Sequence, residues 1–180
     1  MRQIRNSVFE TNSSSMHSLV IKKSNEYYSE QELYTNIWLH DGVWRIYDEE
    51  YIRFGRFPFR CLETFEGKVR YAIASLCSWR SDAKEIFNNI ESLVTEIIPE
   101  CRSIQLPKER YFSDNEEHIY YGGVDDDILT PFLNRTGISL KEFLTNKKYI
   151  VIVDGDEYCI WESLKDSGLI NVDEIEEEYN

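Results

Sequence analysis

Leu62-Glu-Thr-Phe-Glu-Gly-Lys-Val-Arg-Tyr-Ala-Ile-Ala-Ser-Leu-Cys77, followed closely by Ser81-Asp-Ala-Lys-Glu-Ile-Phe-Asn-Asn-Ile-Glu-Ser-Leu-Val-Thr-Glu-Ile97, decides the fold class of this chain. Leu62, Phe65, Val69, Ile73, Leu76 and Cys77 recur at three- and four-residue intervals, so they fall on one stripe of a helix. Ser81 has the chemistry of an N-cap, and Ile86, Phe87, Ile90, Leu93, Val94 and Ile97 form the apolar face of a second helix. Pro99 stops it, because a ring without an N–H cannot continue the ladder. Two adjacent helices of about four turns are predicted.

Strand patterns lie on both sides of this pair. Ser18 to Lys22 is a short β-branched run, and Ser29-x-x-Glu32 has the spacing of a capping box for a brief helix. Ile37 to Tyr47 reads as a hairpin turning at His40-Asp-Gly, where Gly supplies a positive φ at low cost. Tyr51 to Phe59 is extended, with Pro58 confining it to an edge or a strand end. On the far side, 108–127 is polar and turn-rich around Gly122-Gly123. Asp125-Asp-Asp precedes a short helix carrying Ile128, Leu129, Phe132 and Leu133, and Ser139-Leu-Lys-Glu opens another. Tyr149-Ile-Val-Ile-Val is the best strand, and Asp154-Gly-Asp-Glu turns it towards Tyr158-Cys-Ile-Trp.

Strands, then helices, then strands imply α+β: a mixed or antiparallel sheet, with an amino-terminal and a carboxy-terminal hairpin, packed against a two-helix pair. At 180 residues one domain is expected, 1–180. Within it, 1–60 is strand-rich, 61–100 is the helical pair, 101–170 is an acidic α/β part and 171–180 an acidic tail that frays. The 4 Trp, 12 Tyr and 9 Phe need somewhere to pack, which excludes general disorder. No stretch approaches the roughly 18 apolar residues of a membrane helix, and the opening Met1-Arg-Gln-Ile-Arg lacks a signal-peptide core. The expected compartment is the cytoplasm of the host cell.

Charge is unevenly spread. The chain carries 20 Lys and Arg against 33 Asp and Glu, net −13. Residues 1–80 hold 11 basic and 10 acidic side chains, so residues 81–180 carry −14. Such a surface repels nucleic acid and attracts a basic groove on a partner, although it also serves plain solubility. Cys61, Cys77, Cys101 and Cys159 contain no Cys-x-x-Cys, and His17, His40 and His118 are scattered. Free buried thiols are expected, with no metal and no cofactor.

The unusual motif is Arg5-Asn-Ser-Val-Phe-Glu-Thr-Asn-Ser-Ser-Ser-Met-His-Ser18. Its turn formers and hydroxyls can build an anion-binding nest. Arg5 would supply charge, Glu10 a carboxylate, Ser13, Ser14 and Ser15 donors, and His17 a titrating base. It lacks the glycines and lysine of a P-loop. The plainer account is a loop whose side chains satisfy backbone groups.

The segment Arg5 to Val20 resembles the opening of small phage and prophage proteins of low-GC Gram-positive bacteria, which begin Phe-Glu-Thr-Asn-Ser-Ser-Ser-x-His-Ser. Tyr120-Tyr-Gly-Gly-Val-Asp-Asp-Asp127 is similar to a Gly-x-Ile-Asp-His segment of the same family, with Asp126 where a His stands. That departure removes a possible base or metal ligand. The resemblance brings no reaction with it. It implies a phage setting, and one kind of protein of this size and setting is the anti-CRISPR inhibitor of type II, Cas9-type nucleases.

Two further groups remain. Arg45, Arg53, Arg56 and Arg60 interleave with Tyr47, Tyr51, Phe54, Phe57 and Phe59, a basic–aromatic ribbon that can meet phosphates and stack bases. Strand alternation, with aromatics inward and arginines outward, explains the ribbon equally. Asp154-x-Asp156 departs from a calcium loop in the position of its Gly and closing Glu, so a hairpin turn accounts for it better.

The expected function is therefore binding: an anti-defence protein meeting a Cas9-type nuclease with its guide RNA, as an acidic nucleic-acid mimic. Asp114, Glu116, Glu117, Asp125, Asp126 and Asp127 are the contact candidates, with Arg45, Arg53, Arg56 and Arg60 touching nucleic acid. The alternative is a small phosphate- or nucleotide-handling enzyme built on Arg5, Glu10, Ser13, Ser14, Ser15 and His17.

Overall fold

A computed structural model describes residues 4–5, 8–10, 16–22, 25–47, 53–54, 60–78, 80–110, 117–124 and 127–154. Its first elements are β1 (Ile4–Arg5), β2 (Val8–Glu10), β3 (Met16–Ile21), α1 (Glu30–Leu33), β4 (Leu39–His40), β5 (Val43–Arg45), β6 (Arg53–Phe54) and β7 (Arg60–Leu62). There follow α2 (Phe65–Cys77), α3 (Ala83–Ile97), β8 (Ser103–Gln105), β9 (Lys108–Arg110), β10 (Glu117–Ile119), β11 (Gly123–Val124), α4 (Leu129–Thr136), α5 (Leu140–Thr145) and β12 (Tyr149–Asp154). The class is α+β.

The principal sheet runs β1-β2-β3-β12-β7 and is antiparallel throughout. Val151 of β12 stands opposite Leu19 on one side and Leu62 on the other, and all three face the main core. Ile150 stands opposite Val20 on the reverse face, and both are buried as well. An uninterrupted Tyr-Ile-Val-Ile-Val run is what a strand buried on both faces requires.

Helix α2 crosses the inner face of this sheet. Thr64 opens it by accepting from the Gly67 N–H at 3.1 Å. Here the sequence expectation needs correction: Leu62 lies in β7, and a strand residue just ahead of the cap happens to extend the helical stripe. Nor is α2 amphipathic. Tyr71, Ala72, Ala74, Ser75, Glu66 and Lys68 are buried together with Phe65, Val69, Ile73 and Cys77. A helix packed on every side is the centre of a core rather than its lid. Its neighbours supply the layers: the sheet on one side, α3 on another, α4 and α5 on a third.

Helix α3 buries Phe87, Ile90 and Val94 and ends before Pro99, as its periodicity predicts. Its N-cap is Asp82 rather than Ser81, and the Asp82 carboxylate makes no capping bond. It accepts instead the Arg80 guanidinium fork, two bonds of 2.8 Å. The capping box at Ser29 forms as spaced, while at Ser139 only the N-cap bond forms, the Ser side chain accepting from the Glu142 N–H as the Glu142 carboxylate turns to Tyr27 and Asn146. Phe132, Phe143 and Tyr149 close the end of the core with centroids 5.9–6.3 Å apart.

The β4–β5 hairpin turns at Asp41 (φ 50°) and Gly42 (φ 71°), the paired positive values of a type I′ turn. β8 adds in parallel to β5, giving a small mixed sheet. β9 pairs with β10 inside the 108–127 region that the sequence reads as polar turns, and β11 of the same region pairs with β6. Strands of two or three residues carry too few positions for alternation to register. Only part of the Tyr51–Phe59 run is described, as β6. The 155–161 half of the carboxy-terminal hairpin and the tail 171–180 lie outside the described residues.

Candidate functional site

Of the six residues of the amino-terminal motif, the three described ones lie in strands. Arg5 ends β1 opposite Val8, Glu10 ends β2 opposite Ser18, and His17 lies in β3 opposite Val153. The register sets Glu10 two positions beyond Val8, the partner of Arg5. Ser13, Ser14 and Ser15 lie outside the described residues.

The basic–aromatic ribbon is divided as well. Arg45 belongs to β5, Arg53 to β6 and Arg60 to β7, three strands of three different sheets, and Arg56 lies outside the described residues. Phe54 offers no face to a ligand. It is buried and meets Tyr71 edge-on at 5.4 Å. Arg45 is exposed.

Of the acidic candidates, Asp114, Glu116, Asp125 and Asp126 lie outside the described residues, and Glu117 sits in β10 opposite Arg110. Asp127 has structural work. Its Oδ1 accepts from Ser75 Oγ at 2.7 Å and from the Thr130 N–H at 3.1 Å, so it caps α4 and ties that helix to α2.

What the fold does assemble is a cleft of about 460 Å³ between the β4–β5 hairpin and the first turns of α2. Trp38 and Tyr47 line it with 85% and 76% of their surfaces exposed, beside Arg45. The pairing Leu39↔Trp44 and His40↔Val43, carried one step further, sets Trp38 level with Arg45. Trp44 and Ile46 alternate inward and are buried, while Arg45 and Tyr47 alternate outward. The Ile46 N–H donates to Gln105 O at 2.9 Å, which holds this end of the hairpin against β8. Asn36, at φ 64°, brings the chain around from α1.

The α2 side of the cleft is a charged pair. Arg70 grips Glu66 one turn earlier, with Nε in ion-pair contact with Oε1 and Nη2 donating to Oε2 at 3.1 Å, and both side chains are nearly buried. Burial pushes the Glu66 carboxyl up while Arg70 pulls it down, and burial wins.

Sequence reasoning passed over Trp38, Asn36, Glu66 and Arg70. One signal was available: with the turn at Asp41-Gly42, Trp38 falls on the same face as Arg45, the polar face of the hairpin. A tryptophan out of phase with the alternation marks a surface use.

Other chemistry is sparse. No group of three or more His, Cys, Asp or Glu among the described residues is arranged to hold a metal ion. Cys61, Cys77 and Cys101 are free, and burial pushes the Cys61 thiol up to about 11 and that of Cys77 to about 12, which keeps both protonated. No helix among the described residues is long and apolar enough to cross a membrane. Set against protein-family models, curated proteins and solved structures, the chain matches none of them.

Proposed function

We propose that this chain acts by binding, as a phage-encoded anti-defence protein whose partner is a host nuclease of the Cas9 type loaded with guide RNA. The observation that carries the reading is the segregation of charge, −14 on residues 81–180 against a nearly neutral remainder. A nuclease channel lined with Lys and Arg to hold a heteroduplex is the complementary surface. An acidic protein entering it takes the place of phosphates. The amino-terminal resemblance to phage proteins supports the same setting.

Asp114, Glu116, Glu117, Asp125 and Asp126 are the residues to reverse in a test. Asp127 is left intact, because reversing it would remove the α4 cap and report on folding. The experiment is a pull-down with guide-loaded Cas9-type nuclease, with and without target DNA, at low and high salt. Retention that weakens with salt and with charge reversal supports the reading. Absence of retention at either salt, or inhibition that survives the reversal, sinks it.

The alternative, a phosphate- or nucleotide-handling enzyme on the amino-terminal motif, draws less support. The sequence holds no second catalytic motif to accompany it.

A further inference from the structure

We propose that the cleft between the β4–β5 hairpin and α2 binds an unpaired nucleotide, with the base against Trp38 and Tyr47 and the phosphate on Arg45. The proposal rests on Trp38, Tyr47 and Arg45 and on none of the acidic residues of the nuclease reading, so either can fail without the other.

Three observations converge on this ligand. The volume, about 460 Å³, lies within the roughly 300–1,000 Å³ of small-molecule sites. Two large aromatic side chains remain in water although neither serves the core, and they share one cleft. A planar π-system is the partner such faces take up most readily. Arg45 then selects the sign of charge: set level with Trp38 on the exposed face, it opposes a cationic guest and favours a phosphate. The Glu66–Arg70 pair makes the α2 wall polar, which disfavours a purely apolar guest.

The net charge of −13 on the whole chain sharpens the choice. A duplex brings many phosphates and keeps its base faces stacked, so it meets repulsion without reaching the aromatics. An unpaired nucleotide brings one base face and little charge. Base stacking on exposed aromatics is tolerant of sequence, so no single base is specified.

The test is fluorescence anisotropy of a short fluorescein-labelled oligo-dT strand titrated with the full chain. Unlabelled dTMP serves as competitor and a labelled duplex as comparison. Trp38→Ala and Tyr47→Ala should each weaken strand binding by about ten- to a hundredfold. Arg45→Gln should reduce the slope of log affinity against log salt by roughly 0.7, the loss of one single-strand phosphate contact. Ile119→Ala, an exposed apolar residue that does not line the cleft, should leave affinity unchanged. Displacement by dTMP assigns the site to free nucleotide, and resistance to dTMP with the Trp38 effect intact assigns it to single-stranded nucleic acid. Absence of binding by both probes, a duplex bound as tightly as the single strand, or unchanged affinity in both aromatic variants overturns the proposal.

Discussion

Lys68 and Asn146 are joined across the core, with Lys68 Nζ donating to the Asn146 carbonyl at 2.7 Å. A second bond reaches the Phe143 carbonyl at 3.2 Å, and the Tyr28 ring lies 4.9 Å away. These carbonyls belong to the end of α5, where a helix leaves its last acceptors without partners. An amine satisfies both without needing its charge, since a neutral one still has two hydrogens.

Burial accordingly brings the Lys68 pKa from 10.5 down to about 7. The unfolded chain then binds more protons than the folded one between those values, so stability rises with pH across that interval. From about pH 7 to about 9 each unit should add up to about 1.4 kcal/mol. Above that range Cys61 and Cys77, whose thiols are raised, act in the opposite direction. Urea unfolding of wild type and Lys68→Met checks this. The variant should lose the rise, so the stability of wild type minus that of the variant should increase with pH. An equal difference at about pH 7 and about pH 9 would show that Lys68 keeps its ordinary pKa.

The Glu66–Arg70 pair should respond strongly when only one partner is removed. Arg70→Met leaves a buried carboxylate without its cation, at a cost of about 3–5 kcal/mol. Loss of Arg70 raises the folded pKa of Glu66 further, so the folded state keeps a proton the unfolded state releases. The destabilisation should therefore be larger near neutral pH than near pH 5, about where unfolded carboxyls titrate. Glu66→Gln combined with Arg70→Met should recover part of the loss. Thermal melts of the three variants at two pH values decide it.

Asp127→Ala should destabilise by about 1 kcal/mol for the lost α4 cap. Ser75→Ala removes the partner of the same carboxylate, so the two changes should be less than additive in a double-mutant cycle. Strict additivity in denaturant unfolding would separate the cap from the link to α2.

Gly42→Ala should destabilise by about 1–2 kcal/mol, because an L side chain at φ 71° is strained. The added Cβ would also press on the Arg102 side chain, which bonds the Asp41 carbonyl. As the same hairpin carries Trp38 and Arg45, the fluorescence spectrum of the variant should move with its stability. A melt identical to wild type would contradict the turn geometry.

Much of this architecture was legible where a residue's local chemistry also satisfies its tertiary neighbours. The Ser29 and Ser139 caps, the His40-Asp-Gly turn and the 149–153 run are of this kind. The failures come from competition between levels. Leu62 continues a helical period but pairs with Val151, because sheet register outweighs three residues of propensity. Helix α2 reads as one-sided because Ala72, Ala74 and Ser75 are small, although small residues let neighbours pack on every side. The cleft escaped because its members come from α2 and a hairpin, and only the fold brings them together.

The place of β12 between β3 and β7 also governs how the chain comes off the ribosome. Its two neighbours are made long before it, and each waits with a row of backbone donors and acceptors open to solvent. α2 emerges soon after β7 and offers an apolar surface before the sheet it covers has a centre. Synthesis therefore passes through a vulnerable interval in which premature release leaves sticky edges and an uncovered helix. Completion of Tyr149–Asp154 ends that interval at once for both strands, as a keystone does for an arch.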